Sequence, residues 1–207
     1  LIACIRRASK QKEAMMTVSQ HVAQAITTDE FLAKVLPQSG IYMLFLTKEK
    51  KSFHKSYTNI DTMASAVESF DNAGYSVYHA CGSFHTEESR KADNTAHFRS
   101  FFLDLDCGPQ KGGEGKGFID KVAAFNALKD FCKKLSLPKP TIIDSGGGFH
   151  VYWTLQDDIE ADEWLSVATK LKQLTKFHKF PADDARTADR ASLLRPVGAT
   201  NLKYSPT

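Results

Sequence analysis

Residues 98–106, FRSFFLDLD, constrain this chain more than any other stretch. The run is short, dominated by Phe and Leu, and followed at once by a glycine-rich loop, CGPQKGGEGKG, so it reads as a strand. Side chains alternate across a strand. Asp104 and Asp106 therefore share one face with Phe102, while Leu103 and Leu105 take the other. Two carboxylates so placed repel each other unless a cation lies between them or the strand end is exposed and both are solvated. A hard cation such as Mg2+ or Mn2+ suits an all-oxygen donor set and keeps positions open for water or phosphate.

The rest of the chain supplies partners for such a strand. TTDEFLAKVL (27–36) predicts a short helix capped by Thr27 or Thr28, with acids in its first turn. GIYMLFL (40–46) and YSVYHACG (75–82) predict strands, with an exposed basic hairpin or loop at KEKKSFHKSY. IDTMASAVESFDNAG (60–74) predicts an amphipathic helix closed by Gly74. A second helix begins at its N-cap Asp120, with Val122, Phe125, Leu128, Cys132 and Leu135 as its apolar stripe. A third carries Trp164, Val167, Leu171 and Leu174, and a short strand falls around Leu193–Leu194. Strands at 140–144 and 149–155 flank an SGGG turn. This order predicts a mixed α/β (α+β) domain with helices packed on a largely antiparallel sheet.

Composition narrows the classes. In 207 residues the hydrophobic share is 42%, charged residues are 25% and the net charge is +3, which permits a nucleic-acid partner without demanding one. No apolar run is long enough to cross a membrane, so no membrane partner is expected. Lysines cluster at Lys111, Lys116 and Lys121 and again at Lys170, Lys172, Lys176 and Lys179. Cys4, Cys81, Cys107 and Cys132 form no CxxC pair, so no zinc is expected, and reduced thiols in a cytoplasmic protein are. Met15 and Met16 offer a candidate natural start, and residues 1–15 read as a tail, an expression remnant or the edge of a longer protein.

Two further segments carry chemistry. In TIIDSGGGFHVYW (141–153), Phe149, Val151 and Trp153 take one face and His150 and Tyr152 the other. Gly147, Gly148 and their neighbour Gly146 lack a Cβ, which lets backbone amides approach a phosphate. Ser145 adds a hydroxyl, and His150 is the first outward residue that can donate to a phosphate oxygen. An ordinary hairpin with a half-buried His has the same pattern. In DDARTADRASLLRPVGATNLK, Asp183, Asp184 and Asp189 offer a third carboxylate, and Arg186, Arg190, Arg195 and Lys203 offer cations for phosphates. Three carboxylates, a phosphate turn and a basic tail together fit two-metal nucleotidyl transfer.

The motifs FFLDLD, SGGGFHVYW and D…LLR…G.TN.K, in this order over about residues 31–205, resemble the archaeo-eukaryotic primase superfamily, in its RepB-like branch of plasmid and phage primase–polymerases. The resemblance implies an RRM-like catalytic sheet beside a smaller N-terminal α/β unit, with residues 16–207 as the catalytic domain. It also implies primer synthesis on single-stranded DNA from NTPs or dNTPs with two Mg2+ or Mn2+ ions. A helicase domain or protein as partner, and the cytoplasm of a bacterial or archaeal cell carrying a phage or plasmid gene, go with it.

Residue by residue, the resemblance implies metal ligation by Asp104, Asp106 and Asp184, with Asp189 as the alternative, and catalysis by these and His150. It implies nucleotide contacts from Lys116, Ser145, Gly147, Gly148, His150, Arg195, Asn201 and Lys203. The chain departs from the family at Arg195-Pro196-Val197-Gly198-Ala199, where relatives read Arg-x-Pro-Gly-Thr, and it has no Cys-rich element. The rival classes are a non-catalytic RRM-like single-strand binder and a metal-dependent nuclease. A rolling-circle initiator would want a His-x-His pair, which the sequence lacks.

Overall fold

The computed structural model describes residues 26–204, so the expected tail at 1–15 lies outside the described residues. The chain opens with helix α1 (Thr28–Val35), whose start is fixed by a capping box. Thr27 Oγ1 accepts from the Glu30 amide at 3.4 Å, and Glu30 Oε2 accepts from the Thr27 amide at 3.0 Å. Strands β1 (Tyr42–Lys48) and β2 (Lys51–Tyr57) form a hairpin with Lys48 paired to Lys51. Helix α2 (Ile60–Asn72) is capped by Asn59 and followed by Gly74 at φ +79°, a left-handed turn that favours Gly. Strand β3 (Ser76–Ala80) follows, then a short 3-10 turn at Ala92–Asn94.

The second half holds β4 (His97–Asp106), the one-turn helix α3 (Pro109–Gly113), α4 (Lys121–Lys134), β5 (Thr141–Asp144) and β6 (Gly148–Glu160). Helices α5 (Ala161–Phe177) and α6 (Asp184–Thr187) and the short strand β7 (Leu193–Leu194) complete it. Two antiparallel sheets result, β2-β1-β3-β7 and β4-β6-β5, flanked by helices. The sheet built on the N-terminal unit has four strands against three, because β7 from the third motif crosses back to pair with β3.

One core runs through both sheets. Trp164 of α5 is fully buried, stacks on Phe98 at 4.1 Å between ring centroids, and donates its indole N–H to the Ser100 carbonyl at 2.9 Å. Where the sheets meet, the Tyr152 ring lies edge-on to Phe31 of α1, and its hydroxyl lies 3.3 Å from His79 Nε2 on β3. These contacts hold the two sheets together and fix the cleft between them.

Helix α4 corrects the expected stripe. It buries Ala124, Leu128, Phe131 and Cys132, whereas Val122 and Phe125 are exposed. The helix is rotated because Phe131 stacks on Phe180, beyond the end of α5, at 4.5 Å. The glycine-rich segment after β4 also contains a helical turn, α3, where a loop was expected.

Candidate active-site cleft

The floor of the cleft is the β4–β6 ladder, whose register sets Asp104 opposite His150 and Asp106 opposite Gly148. The period of two places both aspartates on the cleft side, as the alternation requires. Asp104 is mostly buried, and its carboxyl is pushed up to about 7, first by burial and then by the nearby charges of Asp106 and Asp183. Asp106 is gripped by Lys111 Nζ at 2.6 Å, an ion pair that in turn raises the Lys111 amine.

Lys111, and not Lys116, occupies this position. The loop folds back so that Phe118 donates its amide to the Asp106 carbonyl at 2.9 Å, and the α3 turn brings Lys111 over the strand end. The Lys116 side chain instead pairs with Glu114 at 2.9 Å in the exposed part of the loop. The expected nucleotide contact from Lys116 is therefore not placed at the cleft.

His150 is buried rather than outward, at 5% exposure. Burial, followed by the charge of His79, pulls its ring down to about 3, so it is neutral near pH 7. Nδ1 lies 3.2 Å from the Arg195 carbonyl, which accepts and so fixes the proton there. Nε2, 3.7 Å from Asp104 Oδ1, then carries the lone pair.

The glycine turn is shaped first by packing. Gly146 has φ +84°, and its amide donates to Asp144 Oδ1 at 2.8 Å. The Ser145 amide donates to the Gly148 carbonyl at 3.1 Å. A Cβ on Gly148 would fall 1.8 Å from the Leu105 carbonyl oxygen, and one on Gly147 would fall 2.4 Å from the Tyr204 ring. Gly148 is thus required by the close approach of β4, and two of the turn's amides are already engaged.

The third segment separates its acids. Asp183 donates its amide to the Asp104 carbonyl at 2.9 Å and caps α6, bringing its carboxylate near Asp104. Asp184, expected as the third metal ligand, points the other way and pairs with Lys176 at 3.1 Å. Asp189 turns back to accept from the Ala191 amide at 2.9 Å. The choice follows from the hydrogen bond that ties the extended N-cap Asp183 to β4, while Asp184 begins the helix that leads away.

Arg195 is buried, donates to the Thr200 carbonyl at 2.7 Å, and lies over the Tyr78 ring at 4.7 Å. Asn201 donates to the Ser145 carbonyl at 2.7 Å, tying the last segment to the glycine turn. The cleft, about 250 Å³, is lined by Asp104, Asp106, Ser145, Gly147, His150, Arg195, Asn201 and Lys203. These eight expected residues converge. Arg186, Tyr204, Ser76 and Tyr78 line it too, and the last two come from β3, which no motif marked.

Among the described residues, no three His, Cys, Asp or Glu side chains converge into a finished metal cage. Mg2+ and Mn2+ commonly bind through one or two carboxylates, with waters and substrate phosphates completing the shell. The residues fit that pattern. Asp104 and Asp106 crowd like charge at a buried strand end, and their carboxylate oxygens are donors of the kind a hard cation takes.

No protein-family model and no curated protein matches the sequence. Solved structures do. The crystal structure of primase RepB' superposes with a TM-score of 0.53 at 14% identity, over 86% of this chain and 50% of that one. The catalytic domain of primase RepB' in complex with initiator DNA gives the same TM-score and identity, over 86% of this chain and 80% of that one. The chain thus spans half the length of the longer RepB' structure. The resemblance read from the motifs is met in three dimensions: this chain has the fold of a primase catalytic domain.

Proposed function

We propose that this chain is a template-directed nucleotidyltransferase, a DNA primase or primase–polymerase that makes primers on single-stranded DNA from NTPs or dNTPs. The observation that carries the reading is the pairing of Asp104 and Asp106 at the floor of a cleft whose other walls bear Arg186, Arg195 and Lys203. Acids alone repel a triphosphate, and basic residues alone need no buried carboxyl. Nucleotidyl transfer uses both.

In this reading Asp104 and Asp106 hold Mg2+ or Mn2+, with Asp183 beside them as the third acid. Bound divalent ions supply the charge that activates a primer 3′-hydroxyl and stabilises the leaving pyrophosphate. Arg195, clamped by Tyr78 and the Thr200 carbonyl, presents a fixed cation to the phosphates. Lys203 adds a second, and Ser145 offers a hydroxyl. His150 keeps its Nδ1 proton on the Arg195 carbonyl and turns Nε2 towards the cleft beside Asp104, where it can accept a hydrogen bond. Lys111 neutralises Asp106 and would have to release it for a metal ion to be held there. A helicase module is the natural partner of such an activity.

The test is synthesis by purified protein on a single-stranded template with Mn2+ or Mg2+ and labelled nucleotides. Products complementary to the template are expected, falling by about 10³-fold or more in Asp104→Ala/Asp106→Ala. Unchanged synthesis in that double variant would sink the assignment. Degradation of labelled template without nucleotides would favour a nuclease.

A further inference from the structure

The four-stranded sheet has two unlike faces. Leu44, Leu46 and Val77 are buried on the side of Met63 and Val67 from α2. On the other face the register sets Phe45 beside Tyr78 and Thr47 beside Ser76, with His54 and Ser52 of β2 continuing the two rows. All six are partly or fully exposed, and neither Phe45 nor Tyr78 belongs to a hydrophobic core.

Each of these rings carries a guanidinium. Arg90 Cζ lies 5.3 Å from the Phe45 centroid, and Arg195 Cζ lies 4.7 Å from that of Tyr78. Arg90 is held in place by the Ala191 carbonyl, which accepts from it at 2.6 Å. Ser76 and Tyr78 also line the cleft, so the face runs without a break into the candidate active site.

We infer that this face is the track along which single-stranded DNA template reaches the cleft, with bases stacking on the partly exposed Phe45 and Tyr78 rings and phosphates meeting Arg90 and His54. The inference rests on the primase reading above and adds a surface to it. Rings on adjacent strands lie about 5 Å apart at their Cα atoms, within reach of successive bases. Aromatic and guanidinium planes accept any base, as a template track must. A duplex has its base faces stacked away, so the track should prefer single strands.

Fluorescence anisotropy of labelled oligodeoxythymidine, without nucleotide or metal, tests the inference. The variants are Phe45→Ser/Arg90→Gln and, at the outer rows, Ser52→Glu/His54→Glu. Lys133→Glu on α4 is the charge control away from the face, and circular dichroism checks the fold. Each double variant is expected to weaken binding about tenfold or more, with the control within about twofold. The salt slope of log K should fall by about 0.7 for each phosphate that the variant no longer neutralises.

Unchanged affinity in both double variants, or an equal loss in the control, overturns the track. Primer synthesis by the same proteins separates the two readings. A wild-type enzyme that makes primers while both variants bind normally loses the track alone. Weakened binding in the variants, with no synthesis by wild type under any metal, keeps the track and loses the primase.

Discussion

The two sheets that wall the cleft solve opposite problems. The three-stranded sheet carries acid where burial makes acid costly: Asp104 sits at a strand end with its carboxyl pushed up to about 7. The four-stranded sheet carries aromatic and basic groups on an open face, where Phe45 and Tyr78 each pack against a guanidinium. One sheet bears a carboxyl whose charged form burial disfavours, and the other bears rings and guanidinium groups at an open surface. In the proposed reading, chemistry falls to the first and strand binding to the second, because a destabilised carboxylate gains most from a metal while stacking needs only exposed surface.

The sharpest way to break the acidic sheet is at its closest approach. Gly148→Ala drives a Cβ into the Leu105 carbonyl, which backbone alone can relieve, and should cost about 3 kcal/mol or more, read as a large drop in Tm. Gly147→Ala meets only the half-exposed Tyr204 ring, which can swing aside, so it should cost about 1 kcal/mol or less. Equal losses at the two positions would mean that the turn is not set by β4.

Next in size is the third acid. Asp183→Asn should lower primer synthesis about 10- to 100-fold, while Asp184→Asn, whose partner is Lys176, should change it about twofold or less. The reverse ranking, measured as kcat/KM for nucleotide, would return the role to Asp184.

Stability against pH separates the buried acid from the buried imidazole that joins the sheets. Asp104 titrates higher folded than at its ordinary 3.8, so as pH rises from 3.8 to 7 the folded state loses stability. His79 is pulled down to about 4 by burial. Its contribution is present above the ordinary 6.5 and is lost as pH falls towards 4. In chelator at pH 8, Asp104→Asn should therefore be more stable than wild type by about 1–2 kcal/mol, and at about pH 3.5 the two should converge. Thermal unfolding across that range checks it, and an Asn variant less stable than wild type at pH 8 would show that Asp104 is already compensated without metal.

The legible parts of the site were those set by local periodicity. The period of two is a property of the backbone, so Asp104 and Asp106 could be assigned to one face of their strand and His150 and Tyr152 to one face of theirs, while the register that unites the two faces came with the fold. Asp183 and Asp184 could not be separated, because α6 is a single turn whose direction is decided by a tertiary hydrogen bond to Asp104. Lys111 and Lys116 lie in a loop whose fold-back is fixed by Phe118 meeting β4, a contact that no repeat in the sequence announces. Tyr78 and Ser76 enter the cleft only because β7 pairs with β3 across more than half the chain, and the burial of His150 likewise follows from the meeting of the two sheets.

The central claim is that Asp104 and Asp106 bind a divalent ion together with a nucleotide. Electron paramagnetic resonance of Mn2+ with a non-hydrolysable dNTP analogue tests it directly. The account expects nucleotide-dependent Mn2+ binding by the wild-type protein that is abolished in Asp104→Asn/Asp106→Asn. Equal Mn2+ binding by the two proteins, with nucleotide present, would contradict it.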